Sequence, residues 1–238
     1  MATYLYCVRS DVTTVPAGLT GVDGTAVRAI DAVGMAVWVS DVSDAAIAPT
    51  VERIKQHDAV CAAALAVGDT PVPIRFGQTF GDEAAATTAI ASRQATLRQR
   101  LERVSGCVEL RVVVTHGHEG DGNEDSGSKE AGSSASPIVS AEGPGTAFLR
   151  RLAREGRADL AREIGCEEIR HAIRSSAEPL VVDQLRCESA RGLAFFPVLV
   201  RRPNVSAFRS AVHEILLSQR IALSVLGPFA PYSFAGDA

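Results

Sequence analysis

Two prolines with one residue between them, Pro71 and Pro73, open the stretch Pro71 to Phe80 (PVPIRFGQTF), and no other feature of the chain restricts its fold as tightly. Each proline fixes φ at about −65° and removes a backbone donor, so the stretch reads as an extended segment at a sheet edge, not as a helix or an interior strand. Gly77, just behind Phe76, lets the chain turn toward a helix that Asp82-Glu83 opens with negative charge. Arg75 stands between Ile74 and Phe76. Buried there without a partner it would cost several kcal/mol, so it is expected to meet a carboxylate or backbone carbonyls and tie the edge down. Gly227 to Phe234 (GPFAPYSF) echoes this pattern. Its prolines exclude a helix or a central strand, and the aromatics are expected to fold back onto the sheet, because soluble chains rarely expose such patches.

Periodicity supplies the elements on either side. Thr3 to Arg9 alternates as a strand. Ser10 to Gly24 is a loop whose glycines open no helix, so the dinucleotide fingerprint fails. Ala26 to Asp31 and Met35 to Val39 read as strands joined at Val33-Gly34, with Trp38 in the core. From Pro49, Val51, Ile54, Cys61 and Leu65 recur at helical spacing. His57 lies on that stripe as a core or interface histidine, and Asp58 faces water or a strand end. A helix behind Asp82 buries Ala86, Ile90, Leu97, Leu101 and Val104. It carries Arg98, Arg100 and Arg103 as a solvated cluster in its last turns and stops at Gly106. Cys107 to Thr115 is the next strand. The segment 117–145, rich in Gly, Ser and acidic residues, cannot offset its ordering entropy by burial and reads as a disordered insertion. Thr146 to Ala177 is helical with weak points at Gly156 and Gly165. Leu180 to Arg186 and Leu193 to Val200 are strands, with Pro197 marking an edge or bulge. Asn204 caps a helix bearing Phe208, Val212, Ile215 and Leu216, and Ile221 to Leu226 is the last strand. From Cys107 onward the order is therefore the split βαβ of a ferredoxin-like sheet, and the first half fits a modified version of it. The fold class is α+β in two lobes, 1–106 and 107–238, the second containing a long helix.

The search for chemistry is negative. The 238 residues carry a formal net charge of −4, so no global basic field attracts nucleic acid. Cys7, Cys61, Cys107, Cys166 and Cys187 form no C-x-x-C pair, which argues for reduced thiols and against a zinc site. No phosphate-cradling loop, nucleophile elbow or H-E-x-x-H motif occurs, and the carboxylates show no spacing that divides them into acid and base. His116-Gly117-His118 reads as part of a polar loop, not a metal site. Catalytic, cofactor-binding and metal-ligating residues are all read as none. The N-terminus lacks a basic region followed by an apolar block, and no segment approaches the length of a membrane span. The chain is accordingly expected to be cytoplasmic, without membrane contact and unprocessed from Met1.

Taken together, YLYCV at the N-terminus, His57-Asp58-Ala59-Val60, PVPIRFGQTF, the Gly106 to Glu109 turn into a strand, Phe148-Leu149 and GPFAPYSF resemble the gas vesicle protein F/L family, in the family's order and over nearly the whole chain except 117–145. The sequence departs from the family's pattern at Phe229-Ala230, where a tryptophan followed by two prolines is usual, and at Phe195-Phe196-Pro197. The resemblance implies a two-lobed accessory or minor structural protein of gas vesicles. Such a protein would bind the small hydrophobic shell protein, gas vesicle protein A, prevent its aggregation and assist nucleation and assembly, alongside other accessory proteins. Pro73, Arg75, Phe76, Gly77, Phe229, Pro231, Tyr232 and Phe234 are the residues expected to bind the partner or join the lobes, through a strand edge or the crevice between them. The alternative is a small-molecule-sensing regulatory module of ferredoxin-like type.

Overall fold

The computed structural model describes residues 1–10, 14–44, 46–116, 167–190, 193–215 and 221–236. The expected insertion 117–145 and the first part of the expected long helix lie outside these residues.

The first sheet is built from β1 (Ala2–Arg9), β2 (Arg28–Ala32), β3 (Met35–Val42), β4 (Val72–Pro73) and β5 (Thr79–Phe80). Its order is β2-β3-β1-β4, with β5 also paired to β1. β2 and β3 form a hairpin whose two turn residues, Val33 and Gly34, have φ of 51° and 74°. Both central positions of such a turn need positive φ, which a β-branched residue resists. Arg98 Nη2 and Gln94 Nε2 donate to the Val33 carbonyl at 2.9 and 3.3 Å and hold it in place. A register shift in β1 between Leu5 and Cys7 inserts Tyr6 as an extra residue. Tyr4, Tyr6 and Cys7 consequently share one face with Trp38, while Leu5 and Val8 share the other with Val37, Val39, Val72 and Ile74.

Each face is covered by helices. α1 (Val51–Ala66) starts at Thr50, whose side chain accepts the Arg53 N–H, and buries His57, Val60, Cys61, Ala64 and Leu65 on the tyrosine face. Two members of its expected stripe, Val51 and Ile54, are exposed, because the helix meets the sheet only from His57 onward. The opposite face carries the helix expected behind Asp82, and Asp82 is indeed its cap, accepting the Ala85 N–H at 2.7 Å. That helix is two elements, α2 (Glu83–Ala91) and α3 (Gln94–Val104), interrupted where Arg93 leaves helical geometry. The apolar stripe survives the break, since Ile90 and Leu97 both remain in the core.

The second sheet comprises β6 (Cys107–His116), β7 (Val181–Gln184), β8 (Glu188–Ala190), β9 (Leu193–Arg201) and β10 (Ile221–Phe229), in the order β10-β6-β9-β7 with β8 also on β9. Leu110, Val112, Val114, Phe196, Val198 and Val200 line one face. They are covered by Ile169 and Ile173 of α4 (167–177) and by Phe208 and Val212 of α5 (Val205–His213). Within each sheet the four principal strands lie in the sequence fourth, first, third, second, the ferredoxin-like arrangement expected of the second half and present in the first without its first crossover helix. Two expectations need correction. β9 is an interior strand, not an edge. Its Pro197 is tolerated because β7 ends opposite Val198 and β8 begins opposite Phe195, so the missing donor falls in the gap between them. Cys187 is disulfide-bonded, whereas Cys7, Cys61 and Cys107 are buried and not in a disulfide.

Candidate functional site

The stretch around Pro71 is a junction, and it is built from the chain just before it. The Asp69 carboxylate accepts the Gly106 N–H at 2.9 Å, the Thr70 N–H at 2.7 Å and the Ser105 hydroxyl at 3.0 Å. Partial burial alone would raise its pKa, but hydrogen bonds from Gly106, Thr70, Ser105 and Ser10 outweigh this and hold it below the usual carboxylate value. The Thr70 hydroxyl donates to the Cys107 carbonyl at 2.6 Å, and the Arg202 N–H donates to the Gly106 carbonyl at 3.0 Å. The crossing from α3 into β6 is thereby pinned to the first sheet and to the end of β9. Next, β4 pairs with β1 (Val72 with Val8, Pro73 with Cys7), and the Ile74 N–H reaches the Tyr6 carbonyl at 2.8 Å. Because Ile74 points its donor inward, the donor missing from Pro73 lies on the outer edge, which is blunted against strand addition.

Beyond Ile74 the chain supports a buried polar chain of contacts. His57 Nε2 lies 3.1 Å from the Ile74 carbonyl, and Nδ1 lies 2.9 Å from Tyr4 Oη. A carbonyl only accepts, so the proton sits on Nε2, and Nδ1 accepts from the Tyr4 hydroxyl. That hydroxyl in turn accepts the Gly77 N–H at 3.1 Å. Burial pushes the Tyr4 phenol pKa well up, so it stays a donor. Phe76 and Tyr232 close this group, with ring centroids 5.8 and 6.3 Å from that of His57. Burial also pushes the Tyr232 phenol upward, and the neighbouring Cys61 adds to the shift.

Tyr232 arrives from the second sheet. After Phe229 the tail leaves β10 and crosses to the first half. Ala230 joins the core under α1, and Phe234 and Ala235 join the core between the first sheet, α2 and α3, where Cys107 and Leu199 of the second half also lie. Glu109, fully buried at the base of β6, accepts the Ser233 N–H at 2.8 Å and its hydroxyl at 3.0 Å and pairs with Arg111 at 2.8 Å. The Arg111 guanidinium lies between the rings of Phe229 and Phe195, 5.3 and 5.7 Å from their centroids. Arg103 lies 5.7 Å from the Phe234 ring and pairs with Asp183. On the α2–α3 side of the first sheet, Leu5, Ile74, Phe80, Ile90 and Leu97 line a cleft of about 240 Å³ with Gln78, Ala89, Ser92 and Arg93 around it. A wider depression of about 580 Å³ lies between α5 and β10.

The family model for gas vesicle synthesis proteins GvpL/GvpF matches residues 2–236. The chain belongs to this family. This GvpL/GvpF member is 26% identical over 98% of its length to gas vesicle protein L2 of Halobacterium salinarum, covering 91% of that protein. It is 28% identical to gas vesicle protein F of a Streptomyces species, with 98% of this chain and 99% of the other covered. Its fold matches the crystal structure of GvpF from Anabaena with a TM-score of 0.72 at 19% identity, covering 98% of this chain and 95% of that one. For GvpF from Microcystis aeruginosa the values are 0.67, 15%, 98% and 98%.

Of the eight residues singled out in this family member, Phe76, Gly77 and Tyr232 meet around Tyr4 and His57. Pro73 lies in β4, Pro231 is buried beside Tyr232, and Phe234 occupies the shared core. Phe229 remains half-exposed on the second sheet. The tail thus folds back, but mainly onto the first half. Arg75 is exposed and has no ion pair or hydrogen bond among the described residues, so the expected clamp is absent. Asp69 and Thr70 tie the segment down instead. They were legible only as an Asp-Thr-Pro turn signal. Nor are Arg98 and Arg103 merely solvated: one holds the β2–β3 turn and the other reaches the second sheet. Among the described residues no three metal-liganding side chains converge, and no helix is long and apolar enough to cross a membrane.

Proposed function

We propose that this protein is a non-catalytic accessory factor of gas vesicles that binds the small apolar shell subunit, gas vesicle protein A. It would keep the subunit from aggregating and deliver it to the growing vesicle, with other accessory proteins as further partners. On this reading it is soluble in the cytoplasm before assembly and its two lobes, 1–106 and 107–238, act as one binding body. The observation that carries the reading is the cleft beside β4 and β5, in a chain of this family. It is apolar, open at the surface and bordered by Ile74, Gln78 and Phe80 of the signature stretch. With Pro73 blunting the edge, side-chain insertion into this cleft is favoured over strand addition. A soluble partner that covers an apolar surface lowers the free concentration available for aggregation.

The test is co-expression with the shell protein followed by affinity capture. Wild type is expected to retain the shell protein in the soluble fraction, and Ala89→Trp, which fills the cleft from α2, is expected to lose it. Absence of a complex with wild type would overturn the reading. The small-molecule alternative has the depression between α5 and β10 as its candidate site. A thermal-shift screen against amino acids and nucleotides separates the two, with no ligand-dependent shift expected of an assembly factor.

A further inference from the structure

We infer that the cleft between the first sheet and α2–α3 selects an aliphatic side chain that adjoins a carboxylate, with Arg93 as the charge-reading residue. This inference rests on the docking reading above and specifies the chemistry of the segment that enters. Three observations combine. First, the cavity holds about 240 Å³, below the range of about 300–1,000 Å³ typical of sites for whole small-molecule ligands. It accommodates one anchoring side chain and not a nucleotide-sized molecule. Second, its walls, Leu5, Ile74, Phe80, Ile90 and Leu97, are hydrocarbon or aromatic, so the part that enters must be apolar. Third, the lining contains no acidic residue and one cation. Arg93 is exposed and, among the described residues, its side chain makes no ion pair or hydrogen bond.

The neighbouring charges behave differently. Arg28 pairs with Asp41 and Glu83, Arg98 is held by the Val33 carbonyl, and Asp82 caps α2. Arg93 alone faces the cleft with its donors free for an incoming group. A guanidinium offers a planar fork that matches a carboxylate. Beside an apolar wall, part of its hydration is already displaced, so an arriving carboxylate meets less screening than in open water.

The probes are 4-methylpentanoate, its amide and 4-methylpentylamine, which share an aliphatic tail and differ in charge. Binding is followed by methyl NMR of Ile90, Leu97 and Leu5 in the full chain. The carboxylate is expected to bind, as read from these methyl shifts, about two- to fivefold more tightly than the amide, the upper part of the range of an exposed ion pair, and the amine least of all. Arg93→Gln should remove the preference for carboxylate over amide while leaving the amide unchanged. Equal binding of carboxylate and amide, or an unaltered preference in Arg93→Gln, would overturn the inference. Capture of the shell protein by Ala89→Trp reports on the docking reading itself. If Ala89→Trp abolishes capture but Arg93→Glu does not weaken it, the cleft stands and its charge selection falls. If Ala89→Trp captures as well as wild type, the cleft is not the docking site and the inference falls with it.

Discussion

The two sheets share a strand order but not a way of being covered. The first is sandwiched, with α1 on its tyrosine face and α2–α3 on its valine face, and both layers are built mainly from residues 1–106 and completed by a few side chains of the second half. Among the described residues the second has helices on one face only. Its other face buries Leu199 against the first half and leaves Phe195, Phe229 and Leu226 partly or largely exposed, with Arg111 lying between the two aromatic rings. A sheet with one uncovered face must borrow a cover, since two apolar layers are the minimum for a core. Here the tail supplies part of it. The segment after β10 carries Ala230, Phe234 and Ala235 across into the two cores of the first sheet, and Glu109 holds Ser233 at the crossing. The first half is thus expected to retain structure alone, and the second to depend on the first.

The most direct way to break this asymmetry is to empty the shared core. Phe234→Ala removes a side chain that is 1% exposed and is expected to cost about 3–5 kcal/mol in chemical denaturation. Hydrogen exchange should show lost protection in β6 and β9 before β1 and β3. Uniform loss, or a cost below about 1 kcal/mol, would mean that the tail is no clasp. A smaller effect is expected at His57. His57→Leu keeps the volume close but strips the Tyr4 hydroxyl of its acceptor and the Ile74 carbonyl of its donor, at about 1–3 kcal/mol in all, since the Tyr4 hydroxyl keeps the Gly77 N–H as a partner. That loss should fall on the first sheet and β4, and it is read by the same exchange experiment.

Asp69 gives the comparison a pH axis. Its folded-state pKa is depressed, so it stabilises the fold above the unfolded carboxylate value of about 3.9 and that contribution is lost as pH falls through this region toward the folded value. Asp69→Asn is expected to cost about 1 kcal/mol at neutral pH, comparable to loss of a helix cap and reduced by solvent contact, and to flatten the stability profile below about pH 4. A variant whose acid profile superimposes on wild type would show that the junction does not depend on this carboxylate.

What the sequence revealed and what it hid follow from the range of the interactions. Strands, helix ends and the proline-marked edge are local, and Asp82 and Gly106 mark them where expected, while α1 starts at Val51 behind its Thr50 cap, two residues past the expected Pro49. The buried His57 was legible because it fell on an apolar helical stripe. What pattern cannot carry is partnership across the fold. Arg75 looked buried because its neighbours in sequence are apolar, yet the chain turns there and leaves it in water. The β1 bulge, which puts Tyr6 beside Tyr4, has no signature in alternation alone. The meeting of PVPIRFG with GPFAPYSF joins residues about 150 positions apart through a crossing that only the packed sheets specify. The cleft was likewise invisible, since Leu5, Ile74 and Leu97 each read as ordinary core.

The smallest expected effect tests what kind of force joins the halves. Arg103 and Asp183 bridge α3 and β7, but both side chains are substantially exposed. Such a pair contributes about 0.2–1 kcal/mol and weakens as salt rises. A double-mutant cycle of Arg103→Ala and Asp183→Ala should therefore give a coupling in that range which falls further in high salt, whereas the cost of Phe234→Ala should be nearly salt-independent. Arg103 also lies over the Phe234 ring, so Arg103→Lys, which keeps the charge but loses the planar face, separates stacking from pairing. If the coupling exceeds the loss at Phe234, the halves are held by charge, and the second sheet's uncovered face is no longer the reason for its dependence on the first.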